Sequence, residues 1–253
     1  MRNSEFFPGI IHEIIPWGNR QISVPVFYYD IMSLTVFMLA PIKNVKTILP
    51  SKRMNPYRVT PWHCVVVISA YEYRDTDLGP YNEVSIGVPF VMDRVSPLFT
   101  GILWEEPEVP MMYIHHLPVT TEIARDAGIE FAGFPKFLAG INFESKGEWL
   151  SCQVNADGKH ILTLTGRKTK LEPLPRQRIY PITCTHGHLL RLELIMSERH
   201  AGHTKAQSDV RLELGDHQIA HELRDLHLGR MLVYQYCPQH QAILTPVCES
   251  YPM

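Results

Sequence analysis

No sign of charge dominates this 253-residue chain: 24 Lys plus Arg face 26 Asp plus Glu, a formal net of -2. Without a basic excess to neutralise phosphates, nucleic acid is not the expected partner. Cysteine is sparse. Cys64, Cys152, Cys184, Cys237 and Cys248 are odd in number and widely spaced, with no CxxC. That argues against a disulfide framework and fits a reducing cytoplasm. The longest apolar stretch, Ile31 to Ile42, contains Pro41 and stops at Lys43. It falls short of the roughly 20 apolar residues that span a bilayer, so no membrane role is expected. Met1 to Ile10 carries Glu5 and Pro8 and lacks the apolar core of a secretory signal. Also missing are GxGxxG and GxxxxGK[ST] phosphate loops, a GxSxG elbow, internal repeats and low-complexity tracts. The expectation is a soluble cytoplasmic protein.

Apolar residues make up 45% and charged residues 20%, a composition that buries a core and excludes disorder. The 20 prolines work against a mostly helical fold. Strand signals dominate. Trp62 to Tyr73 is rich in β-branched and aromatic residues, and Glu83 to Met92 alternates, with Val84, Ile86, Val88 and Phe90 on one face. Trp149 to Val154 and His160 to Thr165 flank an Asp157-Gly158 turn, a hairpin signal. His188 to Met196, Asp209 to Leu214 and Arg230 to Tyr236 read as further strands. Helix signals are few: Pro41 to Leu49, Thr120 to Ala127 with Gly128 as its C-cap, and Gln218 to Leu223. Thr169 to Arg178 reads as a loop between strands. The expected fold is α+β, mainly β, in one domain over residues 1–253.

Cys184, His186 and His188 form C-x-H-x-H, but no second ligand pair accompanies them, so no metal is expected there. His115 and His116 should point to opposite faces of a strand. Glu105-Glu106-Pro107-Glu108 reads as a solvated turn. The most informative segment is Glu130 to Ile141, EFAGFPKFLAGI, where Lys136 stands alone among Phe131, Phe134, Pro135, Phe137 and Leu138. Burial disfavours an ammonium, and a neutral amine can attack a carbonyl to form a Schiff base. A snorkelling lysine that covers apolar surface is the competing reading. Glu83 lies where the polar turn of Arg74 to Asn82 enters an alternating strand, and it points away from the Val84–Ile86–Val88 face.

These segments together resemble the acetoacetate decarboxylase family. GFPKFLAG around Lys136 is similar to the family's Schiff-base motif, and Glu130 matches an acidic position upstream. DTDLGPYNEV is similar to the segment that ends in an active-site glutamate, here Glu83. Met111-Met112-Tyr113 and Val210 to Leu226 resemble further family segments. The family's lysine is itself a standard example of activation by desolvation or by a neighbouring cation. The resemblance implies antiparallel sheets curved into a cone or barrel around an apolar cavity, with two or three short helices. It also implies a homo-oligomer, no metal or organic cofactor, and Lys136 and Glu83 as catalytic residues acting on a keto acid. Two positions depart from the pattern. Phe137 stands where the decarboxylases usually carry a second lysine, so desolvation alone is left to activate Lys136. Phe27 to Ser33 also lacks the family's carboxylate-binding arginine, and Arg20 is the nearest substitute. Phe134, Phe137, Glu130 and Arg20 are the expected substrate contacts. The implied reaction is decarboxylation of a small-molecule β-keto acid, acetoacetate or a bulkier analogue, through an iminium at Lys136, releasing carbon dioxide and a ketone. The alternatives are an aldolase or dehydratase acting on a 2-oxo acid, or a non-catalytic barrel that binds an apolar ligand.

Overall fold

Residues 5–96, 98 and 111–253 are described in this computed structural model. The Glu105–Glu108 turn lies outside them. Strands dominate, with three short α-helices among the described residues.

Seven strands close a barrel. In order around the wall they are Val26–Pro41, His63–Thr76, Tyr81–Met92, Met111–Val119, Gln177–Thr185, Leu194–Met196 and Met231–Leu244. The last returns to the first: Leu194–Met196 pairs with Ala242–Leu244, and Val26–Met38 pairs with Met231–Leu244. Every junction is antiparallel except that between Met111–Val119 and Gln177–Thr185. Closure leaves the barrel without open edges, which otherwise invite aggregation.

A second sheet of Gly140–Lys146, Trp149–Ala156, Lys159–Arg167 and Val210–Leu214 covers one side of the barrel. The period-two pattern explains the packing. Leu34, Val36, Val66, Ile68, Val84 and Ile86 point outward and join Leu150, Cys152, Val154, Leu162 and Leu164 in the main core. Their neighbours Ser33, Thr35, Phe37, Val67, Ser69 and Ser85 point inward and line a cavity. The apolar stripe of the Glu83 strand is therefore the inter-sheet core, and its opposite face looks into the barrel.

The Asp157-Gly158 hairpin forms as expected, with φ of 51° and 72° and Ala156 opposite Lys159. Two positive φ values are what a two-residue turn needs to match strand twist. His186-Gly187 does the same at 48° and 78°, with Thr185 opposite His188. Cys184, His186 and His188 thus straddle a hairpin. The segment expected to be a loop, Thr169 to Arg178, contains the strand Leu171–Leu174, paired with Arg199–Thr204. No helix among the described residues is long and apolar enough to cross a membrane.

Candidate active site

Lys136 reaches the barrel wall by a short, constrained path. The helix Glu122–Ala132 buries Ala124, Ala127 and Ala132 and ends at Gly133, which adopts a left-handed φ of 62°. It therefore runs through Gly128, where the sequence suggested its end. Pro135 follows, and the Lys136 amide donates to the Phe134 carbonyl at 2.8 Å, closing a tight turn. Lys136–Leu138 then pairs in parallel with Leu117–Val119.

Gly128 has a different purpose from capping. A Cβ built there would lie 2.5 Å from Lys136 Cδ, 2.6 Å from Cε and 3.2 Å from Nζ. The missing side chain is the slot in which the lysine lies.

The Lys136 and Glu83 side chains are 5% and 9% exposed, and Nζ stands 2.8 Å from Glu83 Oε2. Oε2 has no aligned hydrogen-bond donor, so the contact is an ion pair by distance. The second oxygen, Oε1, accepts from the Tyr73 hydroxyl at 3.2 Å. The amine lies 5.5 Å from the Tyr81 ring centroid and 5.7 Å from that of Phe134. Burial, and then the Glu83 charge, hold the Tyr73 phenol well above its ordinary pKa, so it stays a donor. Burial penalises a lone ammonium, and the adjacent carboxylate offsets that penalty.

The lysine stands between two cavities. One, of about 140 Å³, is the barrel interior, lined by Tyr28, Tyr71, Tyr73, Glu83, Phe134 and Lys136 among others. The other, of about 120 Å³, lies beneath the N-terminal hairpin and is bounded by Ile15, Ile22, Gly128 and Phe131. It shares Tyr28, Phe134, Lys136 and Leu244 with the first.

The other expected contacts are distributed differently. Phe134 lines the cavity. Phe137 does not: period two turns it away from the Lys136 side, and it packs against the main core. Arg20 sits on the exposed hairpin formed by Glu13–Trp17 and Arg20–Val24, over the Trp17 ring at 5.9 Å. Glu130 accepts from Trp17 Nε1 at 2.6 Å and fastens that hairpin to the helix. Neither Arg20 nor Glu130 borders the cavities.

A cation not singled out in the sequence does line the barrel interior. Arg199 is 8% exposed, and its guanidinium donates to the Ser197 carbonyl at 3.1 Å and to the Gln177 side chain. It forms no ion pair among the described residues. Burial lowers its pKa from the ordinary guanidinium value. Arg199, Tyr71, Glu83 and Lys136 line the same cavity. Its flanks, SERHAG, carry no motif, so nothing local marked it.

A model of the acetoacetate decarboxylase family matches residues 13–239. Among solved structures, an acetoacetate decarboxylase superposes with a TM-score of 0.65 at 16% identity, covering 94% of this chain and 90% of that one. The acetoacetate decarboxylase of Legionella pneumophila gives 0.66 at 15%, covering 90% and 88%. The enduracididine biosynthesis enzyme MppR, complexed with the condensation product of pyruvate and imidazole 4-carboxaldehyde, gives 0.57 at 10%, covering 97% and 98%. At such identities the structural likeness carries the fold. No curated protein matches the sequence.

Proposed function

We propose that this chain, which belongs to the acetoacetate decarboxylase family, is a Schiff-base enzyme that decarboxylates a small β-keto acid at Lys136. The observation that carries this reading is the buried Lys136–Glu83 pair, 2.8 Å apart in the wall of the barrel cavity. A snorkelling lysine would keep its amine in bulk water.

Glu83 takes a proton from the Lys136 ammonium, and the neutral amine adds to the substrate ketone. The protonated Glu83 then gives its proton to the carbinolamine oxygen, so water leaves and an iminium remains. Carbon dioxide departs, and its bonding electrons flow to the iminium nitrogen to give an enamine. Protonation at carbon and hydrolysis release the ketone and restore the amine; one proton is consumed overall. Tyr73, which donates to Glu83, holds the carboxylate in place for both transfers. Arg199 anchors the substrate carboxylate. It is a buried cation with no carboxylate of its own, in the cavity that also holds the lysine. An apolar cavity of about 150 Å³ accommodates benzene, so 140 Å³ suits a small acid.

A second reading keeps Lys136 and changes the bond that breaks. MppR, of similar fold, is complexed with pyruvate and with a condensation product of pyruvate. On that reading the enzyme is a lyase or aldolase of a 2-oxo acid. Borohydride trapping with acetoacetate and with pyruvate, followed by mass measurement, tests both. Adduct with acetoacetate and release of carbon dioxide support the decarboxylase. Adduct with pyruvate alone supports the lyase, and no adduct with either removes Schiff-base chemistry.

A further inference from the structure

On the outer wall of the barrel, facing away from the cavity that Lys136 lines, three potential ligands converge. His115 and His116 are consecutive on the Met111–Val119 strand, so a regular strand would send them to opposite faces. The register breaks there. Ile86 lies opposite His116 while Gly87 lies opposite Ile114, which leaves His115 as an extra residue. Such a bulge re-aims side chains. Met112, Ile114 and Leu117 still line the interior, while both histidines face the helix Gln218–Asp225. Gly87 makes room for the bulge: a Cβ there would stand 2.9 Å from the Tyr113 carbonyl oxygen. The expectation of opposed histidines is thus corrected.

Glu222 of that helix meets both rings. Its Oε2 lies 2.8 Å from His116 Nε2 and 3.5 Å from His115 Nε2. The ring centroids are 4.1 Å apart. One ligand atom from each residue falls within 4.8 Å of the other two. Ligand atoms about 2.0–2.2 Å from a tetrahedral zinc ion stand roughly 3.3–3.5 Å apart, so the three need only small adjustments. His115 Nε2 is buried and has no hydrogen-bond partner, an expensive state for a polar atom.

We propose that His115, His116 and Glu222 form a binding site for a divalent transition-metal ion, zinc foremost, that ties the Gln218–Asp225 helix to the barrel wall. Two imidazoles and a carboxylate suit zinc in preference to calcium or magnesium, which take mostly oxygen. Water completes the coordination. The ion satisfies His115 Nε2 and takes the place of the direct contact between His116 and Glu222. This role is independent of the Schiff-base reading, because the site lies on the other face of the strand from Lys136.

The test uses the full chain after chelator treatment and dialysis, titrated with zinc chloride. Bound zinc is measured by elemental analysis and stability by thermal melting. One zinc per chain and a raised melting temperature are expected in the wild type. His115→Ala and His116→Ala should each abolish both, and Glu222→Gln should weaken binding at least tenfold. Cys184→Ser should leave the stoichiometry at one, which separates this site from the His186 hairpin. Circular dichroism shows whether each variant is folded; if an alanine variant is not, His116→Gln, which preserves a polar contact to Glu222, replaces it. Failure of the wild type to take up zinc would overturn the proposal. So would zinc binding that survives in folded variants of either histidine.

Discussion

Gly128→Ala isolates the link between backbone and chemistry. In an ordinary helix interior this change is stabilising by roughly 0.8–1 kcal/mol. Here the new Cβ would stand 2.5 Å from Lys136 Cδ and 2.6 Å from Cε. Carbon atoms rest at about 3.5–4.0 Å, so the lysine stem must retreat by roughly 1 Å. The amine now 2.8 Å from Glu83 moves with it. A misplacement of about 1 Å at a reacting group costs on the order of 100-fold. The variant should therefore melt within a few degrees of the wild type while borohydride trapping with acetoacetate slows 10- to 100-fold. Gly133→Ala is the control. Its φ of 62° penalises any side chain, and its Cβ would meet Thr185 Cγ2 at 3.2 Å, away from the lysine. It should lower stability by about 1 kcal/mol and leave trapping per folded molecule close to normal. Wild-type trapping rates in Gly128→Ala would refute the slot.

Lys136→Ala should abolish adduct formation and keep the fold, since the barrel closes without that side chain; undiminished trapping, read by intact mass, would point to another lysine. Arg199→Gln should raise KM for the keto acid and lower kcat/KM by roughly 10- to 100-fold, the worth of a charge-assisted hydrogen bond; steady-state kinetics that show an unchanged KM would remove Arg199 as the anchor. His240 tests pH. Burial, followed by Arg199 and Arg74, pushes its imidazole down to about 3. The unfolded chain, with a histidine near 6.5, binds more protons between those values. Stability is therefore lost as pH falls from about 6.5 towards 3, at up to about 1.4 kcal/mol per pH unit. His240→Gln should flatten the acid limb of a melting-temperature profile between pH 7 and 4, and a profile parallel to the wild type would count against this.

Local chemistry made much of the fold readable. Alternation in Glu83–Met92 and the Asp157-Gly158 turn are short-range signals, and both elements form where the residues put them. What escaped was decided across strands. The bulge at His115 depends on how Met111–Val119 pairs with Tyr81–Met92, which no single strand encodes. The helix over Glu122–Ala132 passes through Gly128 because tertiary packing, not capping, put a glycine there. Gly133, five residues on, is the cap, and two glycines in one helix segment offer the sequence reader no way to choose between them.

The inner face of the barrel explains why the site was only half legible. Lys136 stood out because its apolar flanks are contiguous in sequence, and Glu83 because it stands where a polar turn enters an alternating strand in a segment that resembles the family's. Arg199 lies 63 positions beyond Lys136, among polar neighbours, and enters the cavity only because Arg199–Thr204 pairs with Met231–Leu244. Its burial without a carboxylate is a property of the closed barrel. A cation so placed costs free energy unless something charged completes it. Ser197 and Gln177 supply neutral acceptors and partly offset that cost. The remainder is a reason for an anionic ligand to enter the cavity. On the proposed reading, the carboxylate would rest at the guanidinium and the ketone at Lys136, which line the same cavity. The Phe27 to Ser33 segment, where an arginine was expected, supplies Tyr28, Ile31 and Ser33 to the same wall instead. If Arg199 is the anchor, as proposed, the cation is held by the strand Arg199–Thr204, while strand pairing fixes Lys136 opposite Leu117 and Glu83 opposite Tyr71.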